Sequence, residues 1–221
     1  VTQLEAIVTI EQAMSKKSFL DEPLEIITGD AEAAINTAKN NLSGSLSIGG
    51  QEHYYLEGQV ALAIPTEDNE MVVYSSTQNP TEVQHLVAHV LNVPHNAIEV
   101  ITRRMGGGFG GKETDSSQLA CICAIFAQQT LLPVKSRLSR RDDILMTGKR
   151  HDFVVNYEVG YNDNGQIEGV KIDLAARCGY SLDLSKAIVS RALFHADNTY
   201  YLSNATFRGF LCKTNTASNT A

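Results

Sequence analysis

Between positions 71 and 138 the chain switches repeatedly between two periodicities. Residues 71–76, 98–102 and 134–138 read as strands, whereas 80–91 and 116–129 carry apolar residues at helical spacing, the first with proline in its opening turn. A β-α-β-α-β string of this kind predicts parallel strands with right-handed crossovers and a ligand at the carboxyl ends of the strands. Two loops then share one edge: Thr77-Gln78-Asn79 after the first strand and residues 106–113 after the second. Gln78 and the second loop can therefore face one ligand. The competing role for Gln78 is simply an amide beside the start of the helix at Pro80.

The second loop is unusual in composition. In Arg104-Met-Gly-Gly-Gly-Phe-Gly-Gly-Lys-Glu113, five of ten residues are glycine, which permits positive φ and close approach of main chain to a ligand. The helix that follows offers unpaired N–H groups, so the default ligand is anionic. Gly106-x-Gly108-x-x-Gly111 matches the dinucleotide fingerprint in spacing, but residues 130–138 lack the acid that should follow it. The span 106–112 also has phosphate-loop spacing, yet Glu113 stands where Ser or Thr would ligate magnesium. Both nucleotide readings are disfavoured. His85 and His89, with His95, have the spacing of a metal site but no zincin glutamate, and a solvent-facing pair is the better reading. Cys121 and Cys123 point to opposite sides of their helix, and all four cysteines read as free thiols in a reducing compartment. Arg140-Arg-Asp-Asp143 reads as a solvated turn.

The flanks are of a different kind. Residues 24–28 are a strand candidate, 31–39 a helix, and 53–57 and 59–65 further strands separated by glycine bends; His53 and Glu57 read as surface or hydrogen-bonded strand positions. Residues 153–161 and 166–176 form a hairpin through Asn162-Asp-Asn-Gly165. A helix over 182–196 carries Arg191, and a short strand covers 211–212. The fold class is α+β: mixed α/β, with the β-α-β-α-β segment followed by an antiparallel hairpin. The 221 residues are 43% hydrophobic and 19% charged, enough for one sizeable domain or one domain and part of another. A net charge of −7 argues against a nucleic-acid partner. There is no apolar run of membrane-spanning length and no leader pattern, so no membrane association and a soluble, cytoplasmic protein are expected.

Five blocks carry a family resemblance. Gly49-Gly-Gln-Glu-His-Tyr-Tyr-Leu-Glu57, Ser75-Ser-Thr-Gln-Asn79, the segment 104–113, Arg191-Ala-Leu-Phe-His195 and Leu211-Cys-Lys-Thr-Asn215 resemble, in order, the molybdenum-cofactor-binding part of the xanthine dehydrogenases, members of the molybdenum hydroxylase family. The resemblance implies a molybdenum–molybdopterin cofactor, with Gln78 bonded to an oxo ligand of the metal and Phe109, Gly108 and Gly110 against the metal centre. It implies that Glu113 hydrogen-bonds a purine edge and that Arg191 stabilises negative charge developing on the purine oxygen. The implied reaction hydroxylates hypoxanthine or xanthine with water as the oxygen source. Electrons would pass to iron–sulfur clusters, FAD and NAD on other domains or subunits, since no cluster-binding cysteine quartet is present. The implied assembly is a homodimer or heterotetramer that includes the remainder of the large subunit.

The same resemblance sets limits. Residues 1–28 are expected to be a linker from a preceding domain, and 29–221 the N-terminal part of a molybdopterin-binding domain truncated at its C-terminus. The catalytic base, a second arginine and a substrate-stacking phenylalanine belong to later segments, so the fragment alone is expected to be inactive. Phe207-Arg-Gly-Phe210 repeats four letters of one such block but stands out of order, and is rejected as a cofactor site. The alternatives are an aldehyde oxidase of the same family and a non-catalytic dinucleotide-binding or interaction domain.

Overall fold

The computed structural model describes residues 5–221. Along them run α1 (Ile10–Ser15), β1 (Leu24–Thr28), α2 (Ala31–Thr37), β2 (Asn40–Ile48), β3 (Val60–Pro65), β4 (Met71–Ser75), α3 (Pro80–Leu91), β5 (Ile98–Ile101), α4 (Ser116–Thr130), β6 (Val134–Arg137), α5 (Arg140–Met146), β7 (Phe153–Tyr161), β8 (Ile167–Gly179), α6 (Ser185–Phe194) and β9 (Ala205–Lys213). They form two units. The first comprises the chain up to Gln51 together with His151–Asn219, and the second is Glu52–Arg150 with Thr220–Ala221.

The first unit is a five-stranded sheet of order β1-β9-β8-β7-β2, antiparallel except for the β8–β9 pair. The β7–β8 hairpin turns where Asn-Gly chemistry predicts. The Asn162 carboxamide oxygen accepts from the N–H groups of Asn164 and Gln166 at 3.0 and 3.1 Å, and Gly165 takes φ 77°. Between β8 and β9 the chain crosses over through α6, whose Val189 and Leu193 pack on Gly209; a Cβ there would lie 2.6 Å from Val189. Ala175 and Cys212 pack with Ile10 and Ala13 of α1 on one side, and their neighbours Ala176 and Leu211 pack with Val189 on the other. That alternation is the two-residue period of a sheet covered on both faces.

One expectation is corrected here. The short strand at 211–212 is the end of nine-residue β9, which takes in Phe207-Arg-Gly-Phe210; Arg208 there makes two 2.7 Å bonds to Asp173. Nearer the start of the chain lie α1, with a Thr9–Gln12 capping box, and the expected strand at residues 24–28, β1, which pairs with β9.

The second unit is a four-stranded sheet of order β5-β4-β3-β6. Strands β4 and β5 are parallel as predicted, but β3 lies between β4 and β6 and runs antiparallel to both. The cause is local. A tight turn over residues 66–70, in which Thr66 N–H donates to Glu70 O and Glu70 N–H to Glu67 O, folds β3 back on β4. The free edge of β3 then takes β6. Helices α3 and α4 pack on the alternate residues Ala61, Ala63, Met71 and Val73, with Val83, Val87, Ala120, Cys123, Ala124 and Ala127 completing a core that is largely Val and Ala. Residues 53–57 are not a strand; Tyr54 has φ 50° and the segment is a loop.

Candidate functional site

The glycine loop joins β5 to α4 inside the second unit. Its backbone visits positive φ at Gly107 (94°), Phe109 (54°) and Gly110 (93°), and Phe109 is 73% exposed. Gly111 N–H closes the turn on Gly108 O at 2.8 Å. Gln78 is locked onto this loop. Its main-chain N–H donates to Lys112 O at 2.8 Å, and its side-chain Oε1 accepts from the N–H groups of Gly110 and Lys112 at 2.9 and 3.2 Å. Because both partners are donors, the carboxamide orientation is fixed, with oxygen toward the loop. Its Nε2 donor has no acceptor among the described residues, and neither do the N–H groups of Gly107, Gly108 and Phe109. The shared loop edge inferred from topology is therefore present, with Gln78, Gly108, Phe109 and Gly110 together.

The glycines serve protein packing. A Cβ on Gly108 would lie 2.5 Å from Gln78 Oε1, and one on Gly110 would lie 2.2 Å from Ala221 O. Glu113 is half-buried just before α4, its N–H donating to Gly110 O at 3.3 Å. Arg191 lies exposed in the last turn of α6, in the first unit. His85 and His95 stack at 4.4 Å between centroids, both exposed, and no cluster of three metal-binding side chains occurs among the described residues.

Beneath the loop lies a buried polar network. Lys112 is fully buried; its Nζ donates to Ser76 Oγ at 2.8 Å and to Glu57 Oε2 at 3.2 Å, and lies 4.6 Å from the centroid of the Tyr55 ring. Glu57 also accepts from Gly106 N–H at 3.0 Å and from the Ser76 hydroxyl. The Tyr55 hydroxyl donates to Asp143 at 2.6 Å, Gln59 N–H donates to the same carboxylate at 2.8 Å, and Gln59 Nε2 reaches Gly111 O at 2.9 Å. Burial pushes the Glu57 carboxyl up, but the bonds from Gly106, Ser76 and Lys112 outweigh it and hold it below the usual range. Burial pushes the Lys112 ammonium down, against the pull of Glu57. Burial and the Asp143 charge both push the Tyr55 phenol up.

This overturns the reading of residues 140–143 as a solvated turn. They open α5, capped by Ser139; Asp143 is 1% exposed, and Arg140 donates to Tyr55 O and Leu56 O at 2.6 and 2.9 Å. Sequence reasoning missed Lys112, Tyr55, Gln59 and Asp143. The partners stand 55 positions apart for Lys112–Glu57 and 88 for Tyr55–Asp143, so no local spacing reveals them.

Against known families, residues 13–221 match the molybdopterin cofactor-binding domain. The chain belongs to that family. The domain is 46% identical over 219 residues to a xanthine dehydrogenase/oxidase of Felis catus, and 43% identical over 223 residues to a nicotinate hydroxylase of Emericella nidulans. Each match covers 99% of this chain and 16% of the relative, so the domain spans about one-sixth of their length. In fold it is similar to an aldehyde oxidoreductase of Desulfovibrio gigas, with a TM-score of 0.88 at 20% identity over 99% of this chain and 25% of that one.

Proposed function

We propose that this domain is part of a molybdenum hydroxylase that oxidises hypoxanthine and xanthine to urate with water as the oxygen source. The observation that carries the reading is the row of unspent donors on the glycine loop: the N–H groups of Gly107, Gly108 and Phe109 beside Nε2 of Gln78. Donors without a protein acceptor, on a backbone that takes positive φ at Gly107, Phe109 and Gly110, suit an oxygen-rich, anionic group and fit the molybdenum cofactor. When bound, that cofactor supplies the redox capacity for hydroxylation.

The chain's own residues bind and orient. Gln78 donates from Nε2, its oxygen being committed to the loop. Phe109 offers an exposed ring beside the same donors. Glu113 holds a purine edge by a hydrogen bond, and Arg191 supplies a fixed positive charge for the purine oxygen as negative charge develops there. Electrons leave to iron–sulfur clusters, FAD and NAD carried outside this segment, in a cytoplasmic dimer or heterotetramer.

Similar identities to a purine enzyme and to a nicotinate hydroxylase make the substrate the point to test. In the full-length enzyme, Glu113→Ala and Arg191→Ala should each lower kcat/KM for xanthine by roughly 100-fold or more while sparing an aldehyde substrate. Equal losses on both substrates would remove the purine assignment. Normal molybdenum and pterin content in Gln78→Ala and Phe109→Ala would separately remove the loop from cofactor binding.

A further inference from the structure

The Lys112 main chain and side chain reach in different directions. Its N–H and carbonyl hold Gln78 on one side: the N–H donates to Gln78 Oε1, and the carbonyl accepts from Gln78 N–H and, at 3.2 Å, from Thr77 Oγ1. Its ammonium passes into the protein to Ser76 and Glu57, and Glu57 returns to the loop at Gly106 N–H. One residue thus ties together the segment after β4, both ends of the glycine turn and the loop at residue 57. We propose that Lys112 is a positioning residue: its buried ammonium, paired with the part-exposed Glu57 carboxylate, holds the glycine loop in the one arrangement that turns the Gln78 oxygen inward and leaves the Gln78 Nε2 donor free for the ligand. This deepens the functional reading above and rests on it.

Stability alone is a poor reason for such a pair. Replacing a buried ion pair by neutral side chains of similar volume is often neutral or stabilising, whereas removing one partner is costly; what the pair can add is a unique geometry. A Met at position 112 would preserve the length of the stem without its charge. A Gln at 57 still offers an acceptor to Gly106 N–H. Stability and positioning can therefore be separated by comparing single and double substitutions.

The experiment uses the full-length enzyme carrying Lys112→Met, Glu57→Gln or both. Three readouts are taken: thermal unfolding, hydrogen–deuterium exchange of the peptide spanning 104–113, and steady-state kinetics. Each single variant should lower the unfolding temperature. The double variant should recover most of that loss, while its loop amides still exchange roughly tenfold or more faster than wild type. Its kcat should fall by roughly tenfold with KM little changed, the pattern of a lost transition-state arrangement. Recovery of slow exchange and normal kcat together with stability would overturn the proposal, leaving Lys112 a packing residue. Exchange is also measured on cofactor-free protein. Fast exchange there in the double variant, alongside normal cofactor content in Gln78→Ala, would uphold the clamp while removing the cofactor reading.

Discussion

The two units differ in how deeply they bury charge. In the first unit, ion pairs sit where water still reaches them: the Arg208 and Asp173 side chains are 37% and 23% exposed, and those of Arg177 and Asp152 21% and 24%. In the second, Glu57 keeps a side chain 37% exposed and the Lys149–Glu52 pair is likewise part-exposed, but Lys112 and Asp143 are themselves buried at 0% and 1%, each bonded to several groups. Partly exposed pairs contribute about 1 kcal/mol or less, and either partner can be lost without leaving a bare charge in a dry interior. Buried charges punish the loss of a partner severely. The second unit therefore concentrates its geometric precision beneath the glycine loop, and the first is specified mainly by apolar packing and strand register.

The contrast breaks most visibly at its extremes. Asp143→Ala leaves the Tyr55 hydroxyl and Gln59 N–H without an acceptor and should cost about 3 kcal/mol or more, against about 1 kcal/mol or less for Asp173→Ala. Urea unfolding of the two variants measures both, and equal costs would collapse the distinction. Glycine substitutions come next. Gly209→Ala pushes a methyl into Val189 and should cost about 1–3 kcal/mol with molybdenum content unchanged. Gly108→Ala pushes it into Gln78 and should lower molybdenum content by elemental analysis.

The dependence on pH gives a smaller signal of definite sign. Folding lowers the Glu57 pKa below its ordinary value of 4.5, so its contribution is complete above that value and is lost as pH falls through the folded one. The stability difference between wild type and Glu57→Gln, followed by unfolding at pH 7 down to pH 3, should therefore shrink on acidification; a constant difference would show that the carboxylate is not held by its partners. The smallest effect concerns thiols in both units. Burial pushes Cys121 and Cys178 up to about 11 and Cys212 up to about 12. Native protein at pH 8 should take up almost no iodoacetamide at these positions, and urea should release all of them.

Local signals in the sequence translated well into structure. Proline in the first turn and clean helical spacing marked Pro80–Leu91 with both ends correct, and Asn-Gly marked the hairpin between β7 and β8. The loop edge was also legible, because strand direction places Gln78 and the glycines on one side. Long-range pairing was not. Nothing near residues 60–65 announces that β3 will separate β4 from β6, since that depends on a sheet edge supplied more than 60 positions later. Nor does Lys112 reveal that its ammonium will be buried, because lysine in a glycine-rich loop is ordinarily solvated and its acid is distant in the chain.

The discontinuous make-up of the first unit has a consequence in time. Among the described residues strand β2 pairs with β7 alone, more than 100 residues further along, and at ribosomal speeds of roughly 5–20 residues per second it waits on the order of ten seconds for that partner. During that interval Glu52–Arg150, being continuous apart from two terminal residues, can already fold. The strand that waits carries Leu42, Leu46 and Ile48, which remain exposed even after pairing. Chains are thus most vulnerable to edge-to-edge association between the synthesis of β2 and that of β7, and a chaperone that shields residues 40–48 during that interval should raise yield.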